Sequence, residues 1–268
     1  MSLNPLAVAA NEAIAADCPV VHDLLSCVGK ALFFPKGILT QSADAKARAS
    51  RFNATIGIAT EDGAAMHLDC VHRHYRDVPA DELYPYAPSP GLPALRQAWA
   101  DKQRGETPSL GDHPVSLPVV TNALTHALDL LGELFLDPGD PVVVPDKMWG
   151  NYRLTWGVKR QARLHTFPFF TDDLTGFNQE AFAAALAAHR GGKVAVVLNF
   201  PNNPSGYSPT RAEAAAIVAT LTEAAAAGTR IITICDDAYY GMFYADECET
   251  ESLFGRLARA HEHLLAIK

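Results

Sequence analysis

The sequence predicts an α/β protein built on a mostly parallel sheet flanked by helices, preceded by a helical arm. Three observations carry that expectation. From Val119 onward, short β-branched runs alternate with stretches whose apolar residues recur at helical spacing. The short runs are apolar on both faces, as parallel strands are when helices cover each side of the sheet. The segments that look chemically equipped (Thr121 to Thr125, Trp149, Asn203 and Asp236) all fall at the edge where right-handed crossovers gather strand C-termini.

The elements follow in chain order. Asn4-Pro5 opens an Ala/Val/Leu stretch, a second apolar stretch runs from Asp23 to Ala31, and Phe33-Phe-Pro-Lys-Gly37 breaks the pattern. The polar, alanine-rich segment Asp44 to Arg51 reads as a further helix, so residues 1–50 form the arm. Val119-Val-Thr121 is short and strand-like, and Leu124 to Leu136 is helical. Asp137-Pro-Gly-Asp-Pro141 makes a turn before the strand Val142-Val-Val-Pro145. Trp149 to Trp156 reads as a helix, Ala162 to Phe167 as a strand and Asn178 to Ala188 as an amphipathic helix. Lys193 to Leu198 is a strand. The alanine run within Ser208 to Ala227 is a helix packed closely on the sheet. Arg230 to Cys235 is the next strand, Glu249 to His261 a helix and His263 to Ile267 a last apolar run.

The chain has 268 residues, and 49% of them are hydrophobic, which is enough to bury a sizeable core. A formal charge of −8 with no basic stripe argues against nucleic acid as a partner. No apolar run approaches the roughly 20 residues that span a bilayer. The Ala-rich, acidic start lacks the basic opening of a signal or transit peptide. Five cysteines at irregular spacings point to reduced thiols in a cytoplasmic protein. His67, Cys70, His72 and His74 match no zinc spacing and are expected to be ordinary surface or core residues, with no metal.

The most informative stretch is Asn199-Phe-Pro-Asn-Asn-Pro-Ser-Gly206, a polar loop stiffened by two prolines between strand-like runs. The next strand ends Asp236-Asp-Ala-Tyr239. A rigid polar loop beside a carboxylate at a strand end suits a charged heteroaromatic ligand. These residues resemble the Asn-Pro-x-Asn-Pro-Thr/Ser-Gly and Asp-x-Ala-Tyr signatures of the class I/II aminotransferases, pyridoxal-phosphate enzymes of fold type I. Thr121-Asn-Ala-Leu-Thr-His-Ala-Leu128 is similar to the family's Gly-x-Thr/Ser-x-Ala-Leu segment, though Ala123 and Leu124 stand where glycine is usual. Tyr86-Ala-Pro-Ser-Pro-Gly-Leu-Pro-Ala-Leu-Arg96 resembles its Tyr-x4-Gly-x3-Leu-Arg segment.

The resemblance, which covers about residues 50–268, implies a role for each position. Asp236 would hold the pyridine nitrogen protonated, since an opposite charge favours the charged ring. Asp237, on the other face of the strand, would not substitute for it. Asn203 and Tyr239 would donate to the ring's phenolic oxygen, and Trp149 would stack on the ring, with Trp156 left to the core. Ala123, Leu124 and Thr125 would bind the phosphate at a helix start. Tyr86 would reach the phosphate of the neighbouring subunit in a homodimer with shared active sites, and Gly57 would line the substrate pocket. The Schiff-base lysine is expected just after Lys268, whose preceding residues Leu264-Leu-Ala-Ile267 read as strand core. No catalytic residue would then lie within the chain itself.

Residues 1–50 would be an arm of a small domain that is mostly absent, and 51–268 a large cofactor-binding domain incomplete at its C-terminus. The implied activity is transfer of an amino group from an amino acid to a 2-oxo acid. Alternatives are a lyase or decarboxylase using the same cofactor, or a non-catalytic module that binds it. The lack of a visible DNA-binding segment lowers the reading of that module as a regulator.

Overall fold

Five parallel strands make the sheet: β1 (Pro141–Pro145), β2 (Arg163–Phe167), β3 (Lys193–Asn199), β4 (Arg230–Asp236) and β5 (Leu264–Ile267). Their spatial order is β2-β1-β3-β4-β5. The computed structural model that shows this describes residues 3–33, 38–53, 55, 60–75 and 77–268. Two compact units divide the chain, Met1–Pro88 and Ser89–Lys268. No helix among the described residues is long and apolar enough to cross a membrane.

The first unit holds helices Pro5–Asp17, Pro19–Leu24, Cys27–Ala31 and Ile38–Arg48. Asn4 caps the first by accepting the Leu6 amide, and Pro19 stops it by starting the second. Asn11 ties the first helix to the third, donating to the carbonyls of Ala7 and Lys30 at 2.7 Å each.

In the second unit, helix α1 (Pro93–Glu106) precedes α2 (Ala123–Phe135), α3 (Gln179–Ala187) and α4 (Arg211–Ala226). Residue alternation along each strand divides the core in two. On one face Val143, Val194, Val196, Leu198 and Ile231 pack against Phe182 and Leu186 of α3 and Ile217 and Leu221 of α4. On the other, Val142, Val144, Ala195, Val197, Ile232 and Ile234 pack against Leu128 of α2 and against Tyr152 and Trp156. Gly132 lets Trp156 close on α2, because a Cβ there would come within 2.8 Å of the indole. A capping box starts α4: Thr210 accepts the Glu213 amide while Glu213 accepts the Thr210 amide.

Three elements differ from the sequence expectation. Val119 to Thr121 joins no strand, because the Val120 amide donates to the Pro90 carbonyl at 3.0 Å. Trp149 to Trp156 is helical only from Asn151, after single turns at Trp149 and Gly150, and it continues as a π-helix over Arg153–Lys159. Glu249 to His261 is helical only at Phe254–Leu257. The Glu249 amide is committed to the Pro209 carbonyl at 2.8 Å, and Cys248 bridges Thr210, which keeps the segment's start extended.

The chain runs from β1 outward to β2, then crosses back to place β3 on the other side of β1. The strand order therefore reverses between β1 and β3, and ligands settle in the crevice beyond strand C-termini at such a reversal. Gly91 stands at φ +99° with Val120 pressed on it, so that a Cβ would lie 2.2 Å from the valine Cγ2. Gly91→Ala therefore combines backbone strain with overpacking, and a loss of about 2–5 kcal/mol is expected from urea unfolding.

Candidate functional site

Asp236 closes β4 in register with Asn199 of β3, and the Asn199 side-chain amide donates to the Asp236 carbonyl at 2.8 Å. Strand alternation sends the Asp236 carboxylate to the face of Ile232 and Ile234, where the Tyr152 hydroxyl donates to its Oδ2. Its Oδ1 accepts the Ala238 amide at 3.3 Å. The residue is only 3% exposed. Burial pushes its carboxyl above the usual range, opposed by the Tyr152 and Ala238 bonds. Burial first, then the neighbouring carboxylate, pushes the Tyr152 hydroxyl far up, so it stays protonated and acts as the donor.

Asp237 faces the opposite way. Lys268 Nζ lies 3.4 Å from its Oδ2 and 4.8 Å from the centre of the Tyr240 ring. Burial raises the Asp237 carboxyl, while Ser252 and Lys268 draw it back. The lysine follows Leu264 and Ala266, which pack on the α3/α4 face of the sheet. Its ammonium and the Asp236 carboxylate thus belong to opposite sides.

The loop after β3 is held by its own asparagines. Asn199 Oδ1 accepts the Asn203 amide at 2.7 Å, and Asn202 Oδ1 accepts the Ser205 amide and hydroxyl. Asn202 also donates to the Lys147 carbonyl at 3.2 Å, tying the loop to the end of β1. This leaves the Asn203 amide group free to donate to the Tyr239 hydroxyl at 3.3 Å. Both residues of that pair are reachable by solvent.

The start of α2 lies at the same strand edge. Ala123 sits at φ +63°, in the left-handed region that favours glycine. Its amide donates to the Thr121 carbonyl at 3.0 Å, whereas those of Leu124 and Thr125 have no protein acceptor among the described residues. Asn151 approaches the Thr125 hydroxyl at 3.5 Å. Because Asn151 precedes Tyr152, the helix start and the Asp236 carboxylate are joined through two neighbouring residues. Trp149 is half-buried and meets Tyr152 edge to face at 5.9 Å. Trp156 is fully buried, as a core residue.

Asp236, Asn203, Tyr239 and Trp149 are thus linked by direct contacts or through one intervening residue, and Thr125 through two, Asn151 and Tyr152. Tyr86 is fully exposed in the first unit. Gly57 lies outside the described residues. Sequence reasoning missed Asn199 and Tyr152. Asn199 opens the proline-rich loop and could have been found there. Tyr152 and Trp156, four residues apart, read only as helix packing.

A free-amide helix start, a buried carboxylate and a half-buried indole can hold an anionic, flat, nitrogen-bearing ring. Residues 61–266 match the family model of aminotransferase class I and II. The chain belongs to that family. Its members generally work with pyridoxal phosphate. The chain is similar to the aspartate aminotransferase of Bacillus sp. (strain YM-2), at 30% identity over 59% of this chain and 38% of that one. It also resembles the histidinol-phosphate aminotransferase of Leuconostoc citreum (strain KM20), at 27% identity over 62% of this chain and 41% of that one. It therefore spans about two-fifths of the length of these curated relatives.

Among solved structures, an aminotransferase from Anaerococcus prevotii superposes with a TM-score of 0.74 at 24% identity, covering 91% of this chain and 61% of the other. An aspartate aminotransferase of Thermus thermophilus, a tetra mutant complexed with tryptophan, gives 0.68 at 23% identity over 90% and 59%. Both share the fold of this family member, including the parallel sheet.

Two stability outcomes follow from the site. Asp236 has a raised folded-state carboxyl, so its contribution is fully present below the ordinary value of 3.8 and is lost as pH rises through the folded value. Asp236→Asn should therefore gain stability over the wild type as pH climbs toward neutrality, measured by urea unfolding at pH 4 and pH 7.5. Ala123→Gly should relieve about 1–2 kcal/mol of strain, offset by roughly 0.4–1 kcal/mol of added unfolded-chain entropy. A small net rise in Tm is expected, by differential scanning calorimetry.

Proposed function

We propose that this chain forms the cofactor-holding part of a pyridoxal-phosphate-dependent aminotransferase, which moves an amino group from an amino acid to a 2-oxo acid. The observation that carries the reading is the buried Asp236 carboxylate, aligned at a strand end and linked through Tyr152 and Asn151 to the start of α2. When bound, pyridoxal phosphate supplies an electron sink for the substrate's α-carbon. Asp236 keeps a proton on the ring nitrogen, which makes that sink effective. The raised carboxyl of Asp236 is compatible with this task, because a cationic ring beside it would favour the ionised form.

Asn203 and Tyr239 donate to the ring's phenolic oxygen, and their mutual 3.3 Å contact keeps both donors on one side. Trp149 covers a ring face. Leu124 and Thr125 offer their amides to the phosphate, with the Thr125 hydroxyl as a further donor and Ala123 setting the turn. Tyr86 contributes from the partner subunit of a homodimer, and Gly57 lines the substrate pocket. The same reading puts the cofactor-anchoring lysine after Lys268, in keeping with the commitment of the Lys268 ammonium to Asp237. It makes residues 1–50 an arm of a small domain, and the protein cytoplasmic.

Product analysis on the full-length protein tests the proposal. Incubated with an amino acid and a labelled 2-oxo acid, it should pass nitrogen to the acceptor and form the donor's oxo acid only when the acceptor is present. Ammonia or carbon dioxide released without an acceptor would assign a lyase or a decarboxylase instead. Asp236→Asn should lower the transfer rate by roughly 10²-fold or more, since it removes a charge aimed at the ring.

A further inference from the structure

Tyr152 connects the two halves of the candidate site, and the family's signature residues leave it without a role. Its ring is stacked on Trp156 at 5.1 Å with a 5° interplanar angle, and Trp149 meets its edge. The Trp156 indole N–H donates to the Leu128 carbonyl of α2 at 2.9 Å, and Gly132 gives the indole room to lie against that helix. A chain of buried contacts thus runs from α2 through Trp156 and Tyr152 to Asp236. The phenol is 1% exposed, so neither water nor a rotamer change competes for its hydroxyl.

We propose that Tyr152 is a positioning residue: its hydroxyl fixes the orientation of the Asp236 carboxylate, and the Tyr152–Trp156 stack references that orientation to helix α2. This rests on the reading of Asp236 as the partner of the cofactor's ring nitrogen. The hydroxyl occupies Oδ2 and the Ala238 amide contacts Oδ1, so the carboxylate is bound at both oxygens while each oxygen keeps a further acceptor site. A carboxylate held this way meets a ring nitrogen without reorganising. Ionisable neighbours do not replace the hydroxyl: Asp237 is on the opposite face with Lys268, and Tyr239 is engaged with Asn203.

The test reads Asp236 itself. Its carboxyl carbon-13 resonance, assigned by its loss in Asp236→Asn, is titrated in the cofactor-free protein and in Tyr152→Phe, which keeps the stack and removes only the hydroxyl. A hydrogen bond to a charged group should hold the midpoint down by about one pH unit, a tenfold change in proton affinity, so Tyr152→Phe should titrate that much higher. Site-specific 3-fluorotyrosine at position 152, a stronger donor, should titrate lower. An unchanged midpoint in both variants overturns the proposal, even where urea unfolding shows lost stability.

Pyridoxal phosphate affinity, followed by absorbance across pH, separates the two readings. Tyr152→Phe should bind several-fold more weakly, with the deficit growing as pH falls. If Asp236→Asn binds as tightly as the wild type while the Tyr152→Phe midpoint still moves, the nitrogen-partner reading falls and the hydroxyl's hold on Asp236 stands.

Discussion

A buried carboxylate is the constraint around which this fold is arranged. Leaving Asp236 ionised in the interior costs free energy unless it is hydrogen-bonded, and the chain answers with a single hydroxyl from Tyr152 and one long amide contact. To bring that hydroxyl to the end of β4, the segment after β1 turns twice and winds into a π-helix, over which Trp156 locks against Gly132 of α2. The β1–β2 connection, the placement of α2 and the depth of β4 are therefore mutually dependent. A carboxylate so placed is a poor stability element, since burial works against its charge.

The two adjacent aspartates show how strand geometry assigns roles. Asp236 is buried and Asp237 half-buried, and burial raises both carboxyls, yet one points toward α2 and the other toward Lys268. Asp237 has a protein ammonium within 3.4 Å and a cation–aromatic contact beside it. Among the described residues Asp236 has no such charge beside it. One side of the sheet pairs its carboxylate with an ammonium, and the other holds its carboxylate with a hydroxyl and an amide.

Much of this was legible in the sequence. Short apolar and β-branched runs marked all five strands to within a residue, because parallel strands buried on both faces leave little ambiguity. The opposite facing of Asp236 and Asp237 followed from the period of two. What stayed hidden depends on partners far along the chain. Val119 to Thr121 has strand composition, but its central amide is taken by Pro90. Glu249 opens a stretch with helical composition, but Pro209 claims its amide. Tyr152 looks like packing until the hydroxyl's partner, 84 residues away, is seen. The absence of glycine at position 123 reads as a departure from the family pattern, yet the backbone there keeps a glycine-like angle.

Glu213 joins three parts of the molecule that the chain order separates. Burial works against its charge, but the amides of Thr210 and Phe177 and the hydroxyls of Tyr207 and Thr210 outweigh that and keep its carboxyl low. Tyr207 in turn offers its carbonyl to the Asn202 amide, at the root of the loop that presents Asn203. The shape of that loop is consequently an extension of the N-terminal cap of α4. The loop acquires its form only when the helix behind the sheet has seated, so a chain with that helix misplaced would lack an ordered loop rather than carry a distorted one.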